Sequence, residues 1–497
     1  MSQQTRLQPS HDPVKKLKLV SFLTDNKTYE IFSLLARIFL ILSLISSISL
    51  VLYTAFSPQT HSTRFTYPRQ TTKQPEAEFQ SGPTNISHIL FCVGGSATTW
   101  KTRSRYSSLW WNSNKTRGSV WLDESPSVKP ESEMPSLQYR ISNPEWKKFK
   151  FSSSRSAVRI ARIINDSFKL RLRNVRWFVM GDDDTVYYTE NLVSVLAKYD
   201  HNQMWYIGGN SESVEQDVMH SYDMAFGGGG FAISYPLAEK LVNILDDCLD
   251  RYYYFYGSDQ RIWACISEIG VPLTREVGFH QFDIRGSAYG ILAAHPPAPL
   301  VSLHHLDNVD TLFPNKNQLD SLKSLNSAYQ IDPPRILQQA VCEDYSRKWS
   351  ISIAWGYTIQ LYPFVLPAKD LQTPLQTFKT WRTWSKGPFT FNTRPIKSDP
   401  CELPVVFMLE KAEEVGQSGS RTIYHRIDPK PENMCNSTDN AKAMSLQRIV
   451  VSALKLDPEY WTKVQARRRK CCDIIDRGSR KISMQIRIRE CRPWETL

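Results

Sequence analysis

Apolar positions in this 497-residue chain follow two rhythms that change over near residue 310. In the first, short unbroken apolar runs alternate with stretches of helical spacing. "HILFCVGG" (88–95) reads as a buried strand ending in glycines, and "TTWKTRSRYSSLWW" (98–111) as a helix led by Trp100 and closed by Trp110 and Trp111. "SVWLDE" (119–124) is a second strand, ending in acid. "SAVRIARIINDSFKLRL" (156–172) puts Val158, Ala161, Ile164 and Phe168 on one helical face and leads into the strand "VRWFVMG" (175–181). Further helices are predicted over 189–200, from Pro236, and after Asp259. Strands alternating with helices predict an α/β domain with a mostly parallel sheet, whose ligands gather beyond the carboxyl ends of the strands. In the second rhythm, "WSISIAWGYTIQLYPFVLP" (349–367) and "RKISMQIRIREC" (480–491) alternate residue by residue between Pro-rich loops. That predicts a β-rich C-terminal module.

The N-terminal pattern is different again. Residues 38–56, "IFLILSLISSISLVLYTAF", carry no charge and are long enough to cross a bilayer as a helix. Lys15, Lys16, Lys18, Lys27 and Arg37 precede them, so residues 1–37 are expected to stay cytosolic and the rest to be exported. The leader and the apolar run are both too long for a signal peptide, which favours an uncleaved anchor. Polar, proline-bearing residues 57–87 read as a stem. The expected organisation is therefore tail 1–37, anchor 38–56, stem 57–87, α/β domain 88–315 and β-rich extension 316–497.

Composition adds to this picture at two points. Four glycan acceptor patterns, at Asn85, Asn114, Asn165 and Asn436, agree with export. Of nine cysteines, Cys401, Cys435, Cys471, Cys472 and Cys491 fall in the last hundred residues and read as disulfides, the odd total leaving at least one sulfur unpaired. The net charge of +12 is scattered, and its densest cluster, "ARRRKCC" (466–472), comes with no helix-turn-helix, zinc-finger or RNP pattern. Nucleic acid is not an expected partner; anionic ligands in a lumen account for the excess equally well.

The candidate chemistry starts where "WFVMGDDDTVY" (177–187) turns from apolar to three consecutive carboxylates. Asp182, Asp183 and Asp184 repel one another unless a cation neutralises them, and Mn²⁺ or Mg²⁺ is the natural choice, being hard and oxygen-seeking. In a tight turn, side chains two apart can converge while the one between points away. One acid would suffice to cap the helix expected at 189; three need another explanation. Downstream, "MAFGGGGF" (224–231) lets the backbone approach a ligand without Cβ obstruction, though a plain turn explains it almost as well, and it has neither Walker nor GxGxxG spacing. Asp259 opens a helix that it could simply cap. His280, His304 and His305 lie at strand ends, where an imidazole can complete a divalent-metal shell. Asp123 closes an early strand and could cap a turn. Arg159 and Arg162 could approach a diphosphate, although solvated surface is the ordinary place for them.

Taken in order, an acidic triplet after a strand, a glycine loop, an acid at a helix start and a strand with histidine resemble glycosyltransferase family 31. Within it they resemble the Fringe and core-1 β1,3-galactosyltransferase branch, and in particular the plant Fringe-related group long labelled a domain of unknown function. The resemblance covers about residues 88–315 and extends more thinly to "RRRKCCD" (467–473). It implies a GT-A fold (Rossmann-like) and inverting transfer, with β1,3 linkage, from a UDP-sugar to a glycan or glycoprotein, with Mn²⁺ usual. It also implies a Golgi type II membrane protein, which could self-associate. Carried over, Asp182, Asp183 and Asp184 match the donor and metal motif, with Asp184 and Asp182 as ligands. Gly228, Gly229 and Gly230 match the donor-side loop, Asp123 an early strand-end acid, and Asp259 the catalytic base. His304 is the favoured metal histidine, with His305 and, less well, His280 as alternatives. One departure is Ser258, where the family often has a second acid. A non-catalytic glycan- or protein-binding module on the same scaffold is the competing expectation, and a metal-dependent phosphohydrolase a third.

Overall fold

A computed structural model of the chain describes residues 26–56, 82–127, 138–150, 154–429, 434–463, 467–476 and 482–497. The chain divides into two compact units, Met1–Glu76 and Ala77–Leu497. The first holds the helix Asn26–Phe56, which contains the whole 38–56 run. Its side chains are described over 33–49 and are exposed from Leu34 onward. Among the described residues no helix is long and apolar enough to cross a membrane. Most of the tail (1–25) and of the stem (57–81) lies outside the described residues.

The second unit is built on a seven-stranded sheet. Its order is Tyr139–Ile141, Arg117–Leu122, Ile89–Gly94, Trp177–Asp182, Phe231–Ser234, Tyr206–Gly208, Leu273–Arg275. Four of its six strand pairs are parallel, and both antiparallel pairs involve Phe231–Ser234. The central strands are buried on both faces, and their two-residue period sorts them between two cores. Leu90, Cys92, Phe178 and Met180 face the helices, packing with Val158, Ile164, Leu241 and Ile266. Ile89, Phe91, Val93, Trp177 and Val179 face the other way, with Trp110, Tyr187 and Leu192. In register, Gly94 lies opposite both Trp121 and Asp182. Gly95, Asp123 and Asp182–Asp184 thus crowd one carboxyl edge of the sheet.

The C-terminal half forms a closed eight-stranded barrel between Gln339 and Arg489. Parallel pairing of Ala340–Val341 with Lys470–Cys471 joins its first strand to the strand Lys470–Asp476 and completes the ring, which leaves no strand edge free. The boundary expected at 315/316 separates stretches of sequence, but the core runs through it. Phe91 and Trp177 belong to the same apolar cluster as Ile353, Phe407 and Ile449. A short strand, Phe378–Thr380, also returns from this half to pair with Ile284–Gly286.

Several local expectations need correction. The first helix is Trp100–Ser107 and stops before Trp110. The 156–172 run is two helices, Arg155–Ala161 and Ile163–Phe168. Asn165 is buried in the second of these, so it offers no site for a glycan on the folded chain, whereas Asn85, Asn114 and Asn436 are exposed. The disulfides pair Cys248 with Cys265, Cys342 with Cys472, Cys401 with Cys435 and Cys471 with Cys491, leaving buried Cys92 as the free thiol. Cys248–Cys265 ties the helix after the glycine loop, Tyr235–Arg251, to the helix carrying Asp259, Ser258–Ile269.

Burial pushes the Cys92 thiol up to about 12, so at pH 8 it is almost wholly protonated and shielded. Titration with a chromogenic disulfide reagent, without reductant, is expected to find no reactive thiol in the native chain and one after denaturation. A second thiol would refute this pairing.

Candidate active site

The strand Trp177–Asp182 ends in a turn closed by the Thr185 N–H donating to the Asp182 carbonyl at 3.0 Å. The Thr185 hydroxyl accepts from the Asp182 N–H (2.9 Å) and donates to the Gly228 carbonyl (2.7 Å), while the Trp110 indole donates to the Thr185 carbonyl (3.0 Å). Directly after the turn, Val186–Tyr187 pairs with Ser302–Leu303. That pairing places His304 against the acids. His304 Nε2 lies 3.2 Å from Asp184 Oδ1 and 3.8 Å from Asp182 Oδ2, and one ligand atom from each of the three falls within 4.8 Å of the others.

Two groups among the described residues have metal-ligand spacing. Cys471, Cys491 and Glu495 form one, but its sulfurs are joined in a disulfide. Asp182, Asp184 and His304 form the other. Ligands on one octahedral ion at about 2.1 Å stand about 3.0 to 4.2 Å apart, so this set needs little movement to hold a divalent cation. Asp184 Oδ1 is buried without a well-aligned hydrogen-bond partner, which is the kind of acceptor a cation satisfies. The residues present fit Mn²⁺ or Mg²⁺.

Within the turn the three acids divide. Asp183 and Asp184 are 1% and 2% exposed, whereas the Asp182 side chain is 34% exposed. Asp183 points away from His304 and is held by Arg103 Nη1 at 3.1 Å and the Thr99 hydroxyl at 3.3 Å. Arg103 Nη2 reaches Asp184 Oδ2, also at 3.1 Å. Burial works to raise the pKa of Asp184, but His304 and then Arg103 hold it well below the usual carboxylate range. Asp182 is pushed up to about 7, first by desolvation, then by Asp184, Asp183 and Asp259. The triplet caps no helix: the next one, Thr189–Leu196, starts after Tyr188 without any side-chain cap.

The glycine loop packs against this centre. A Cβ on Gly228 would overlap the His304 imidazole, and Gly230, at φ +87°, has the Tyr187 hydroxyl where its Cβ would stand. The close approach expected from the sequence is to a ligand; the one seen is instead to the protein's own histidine. Asp259 lies in the first turn of its helix rather than at the cap, which is Gly257. Its Oδ2 accepts from the Gly227 N–H and its Oδ1 from the Gln260 N–H, each at 2.9 Å. The carboxylate is thereby fixed beside the loop and near enough to Asp182 to raise that residue's pKa.

The remaining candidates take supporting places. His305 turns to Asp283 (2.9 Å) and stacks flat on Trp381 at 4.7 Å, outside the Asp182–Asp184–His304 group. His280 has both ring nitrogens engaged, with Glu212 at 3.1 Å and His295 at 3.0 Å. Asp123 accepts from the Ala97 N–H at 2.8 Å and so fixes the loop after the first strand. Arg159 and Arg162 are buried, not solvated. Arg159 donates to the carbonyls of Trp121 (2.9 Å) and Gly95 (2.6 Å) under the acidic edge. Arg162 pairs with Glu145 and Asp246 on the helical side. Sequence reasoning missed Arg103 and Trp381. Neither carries a local signal, one being a basic residue in a polar helix, the other belonging to the distant C-terminal half.

Two outcomes are expected from this geometry. Mn²⁺ at about 100 times its dissociation constant should stabilise the chain by about 2.7 kcal/mol, read as a rise in melting temperature that Asp184→Asn and His304→Ala both remove. Gly228→Ala, which alters no ligand, should displace His304, cost roughly 1–3 kcal/mol as overpacking, and abolish the same Mn²⁺-induced rise.

A family model described as a protein of unknown function, DUF604, matches residues 216–472, just over half of the chain. The match takes in the glycine loop, Asp259, His304 and the barrel as far as Cys472, and begins after the acidic triplet. No curated protein matches. The chain therefore belongs to the DUF604 family, which is related to glycosyltransferase family 31.

Proposed function

We propose that this protein is a metal-dependent, inverting glycosyltransferase of the Fringe-related branch, moving a hexose or N-acetylhexosamine from a UDP-sugar to a glycan acceptor with β1,3 linkage. One observation carries the proposal. Asp182 and Asp184 from one strand end and His304 from another converge within bonding reach of one cation, while Asp259 borders the same glycine loop. A glycan-binding module would have no use for such a centre together with a positioned base. The mostly parallel sheet, with its acids at the carboxyl edge, supports the GT-A expectation.

When bound, a divalent cation would neutralise the charge that develops on the departing diphosphate. Asp182, Asp184 and His304 would hold it. Asp259 would accept the proton of the acceptor hydroxyl as that oxygen attacks the anomeric carbon opposite the leaving UDP, and one displacement inverts the configuration. Two backbone N–H groups orient the Asp259 carboxylate without any side chain having to move. Asp183 and Arg159 would serve the edge rather than the ion, Asp183 through Arg103 and Arg159 through the carbonyls of Gly95 and Trp121. The uncharged run 38–56, on its sequence alone, would anchor the chain in the Golgi membrane as a type II protein. Exposed Asn85, Asn114 and Asn436 and the four disulfides favour the luminal side for the rest.

The test is UDP release by the full-length chain in detergent, with a panel of UDP-sugars, glycan acceptors and Mn²⁺. Asp184→Ala should abolish turnover. Asp259→Asn should lower kcat by roughly 10²–10⁴ while leaving the KM for the UDP-sugar nearly unchanged. An Asp259→Asn variant of undiminished kcat would remove Asp259 as the base.

A further inference from the structure

Arg103 stands out among the groups that the proposed chemistry leaves without a part. Its guanidinium forks across two neighbouring carboxylates, with Nη1 on Asp183 and Nη2 on Asp184 Oδ2, each at 3.1 Å. Those acids are buried, but the Arg103 side chain is 37% exposed. Asp184 divides its two oxygens, Oδ2 to the Arg103 guanidinium and Oδ1 toward the His304 imidazole. Arg103 therefore sits across a single carboxylate from the candidate metal position. Its positive charge offsets part of the repulsion between Asp183 and Asp184 without a divalent ion.

Two consequences of opposite sign follow from Coulomb's law. A fixed cation on Asp184 weakens the pull of that carboxylate on a second cation, so Arg103 opposes divalent-ion binding. An anionic ligand brought in with the ion meets both positive centres, so Arg103 favours diphosphate binding, and the guanidinium N–H groups left over from the two carboxylates suit phosphate oxygens.

We propose that Arg103 has two opposed effects: it holds the empty acidic turn together at some expense of metal affinity, and it joins the metal in gripping the diphosphate of the donor. This rests on the transferase reading above. The first effect needs only the metal, so the two can fail separately.

The experiment compares the full-length chain with Arg103→Gln and Arg103→Lys. Free Mn²⁺ is followed by its paramagnetic resonance signal, UDP binding by calorimetry in saturating Mn²⁺, and melting temperature with and without Mn²⁺. Arg103→Gln should bind Mn²⁺ alone roughly two- to fivefold tighter, the scale of a partly exposed ion pair. It should also bind UDP more weakly, melt lower without metal, and gain more from Mn²⁺ than the parent chain does. Arg103→Lys keeps the charge but not the fork, so its Mn²⁺ affinity should stay near that of the parent while UDP binding still falls. It also serves if Arg103→Gln does not fold. Parallel loss of Mn²⁺ and UDP affinity in Arg103→Gln, or in Arg103→Lys where that alone folds, would mark Arg103 as scaffolding and overturn the proposal, as would no change in either. If the parent chain binds Mn²⁺ but never UDP, the transferase reading falls and the diphosphate half of this proposal falls with it.

Discussion

Burying Asp183 and Asp184 is the constraint on which this end of the sheet depends. Removing a carboxylate from water costs several kcal/mol unless positive charge and hydrogen bonds replace the solvent. Here the replacements arrive from distant parts of the chain. Arg103 comes from the helix after the first strand, and His304 from a two-residue strand more than a hundred positions downstream. The pairing of Val186 with Leu303 and Tyr187 with Ser302 is short, yet it decides whether His304 meets Asp184 at all. The glycine loop follows from the same pairing, since no side chain fits between Gly228 and the imidazole.

The C-terminal barrel belongs to this arrangement rather than standing beside it. Its core is continuous with the apolar face of the sheet, and Phe378–Thr380 extends from it to pair with Ile284–Gly286. Trp381, next along the chain, stacks on His305, whose ring lies 4.0 Å from that of His304. Arg285 lies over the same indole at 3.8 Å. His305 therefore packs between Trp381 of the C-terminal half and His304, the candidate ligand. Trp384, 59% exposed, lies on the same loop.

What was legible in the sequence was local or strongly patterned. The apolar run into three aspartates marks a strand end, and its two-apart convergence is what brings Asp182 and Asp184 together while Asp183 turns away. His304 was legible through family resemblance, because nothing local separates it from His305. The rest depends on long-range packing. Arg159 and Arg162 looked like solvent residues because helical spacing does not show that strand-end carbonyls or paired acids wait beneath them. Asn165 fits a three-residue acceptor pattern whose burial is decided by the tertiary fold. Barrel closure could not be read because parallel pairing of residues 340 and 470 leaves no mark on either stretch.

The unequal exposure of the three acids bears on how such a centre could work. A cation cage closed on every side would bind tightly and exchange slowly, and it would leave no coordination position for substrate oxygens. Asp183 and Asp184 are closed in, fixed by Arg103 from one side and His304 from the other, so the turn keeps its shape without an ion. Asp182 stays partly open, with Asp259 near enough to raise its pKa. The turn thus combines a held inner wall with one accessible carboxylate. Two acids would not have given the same arrangement: the buried pair is held from within, and the third leaves a carboxylate open.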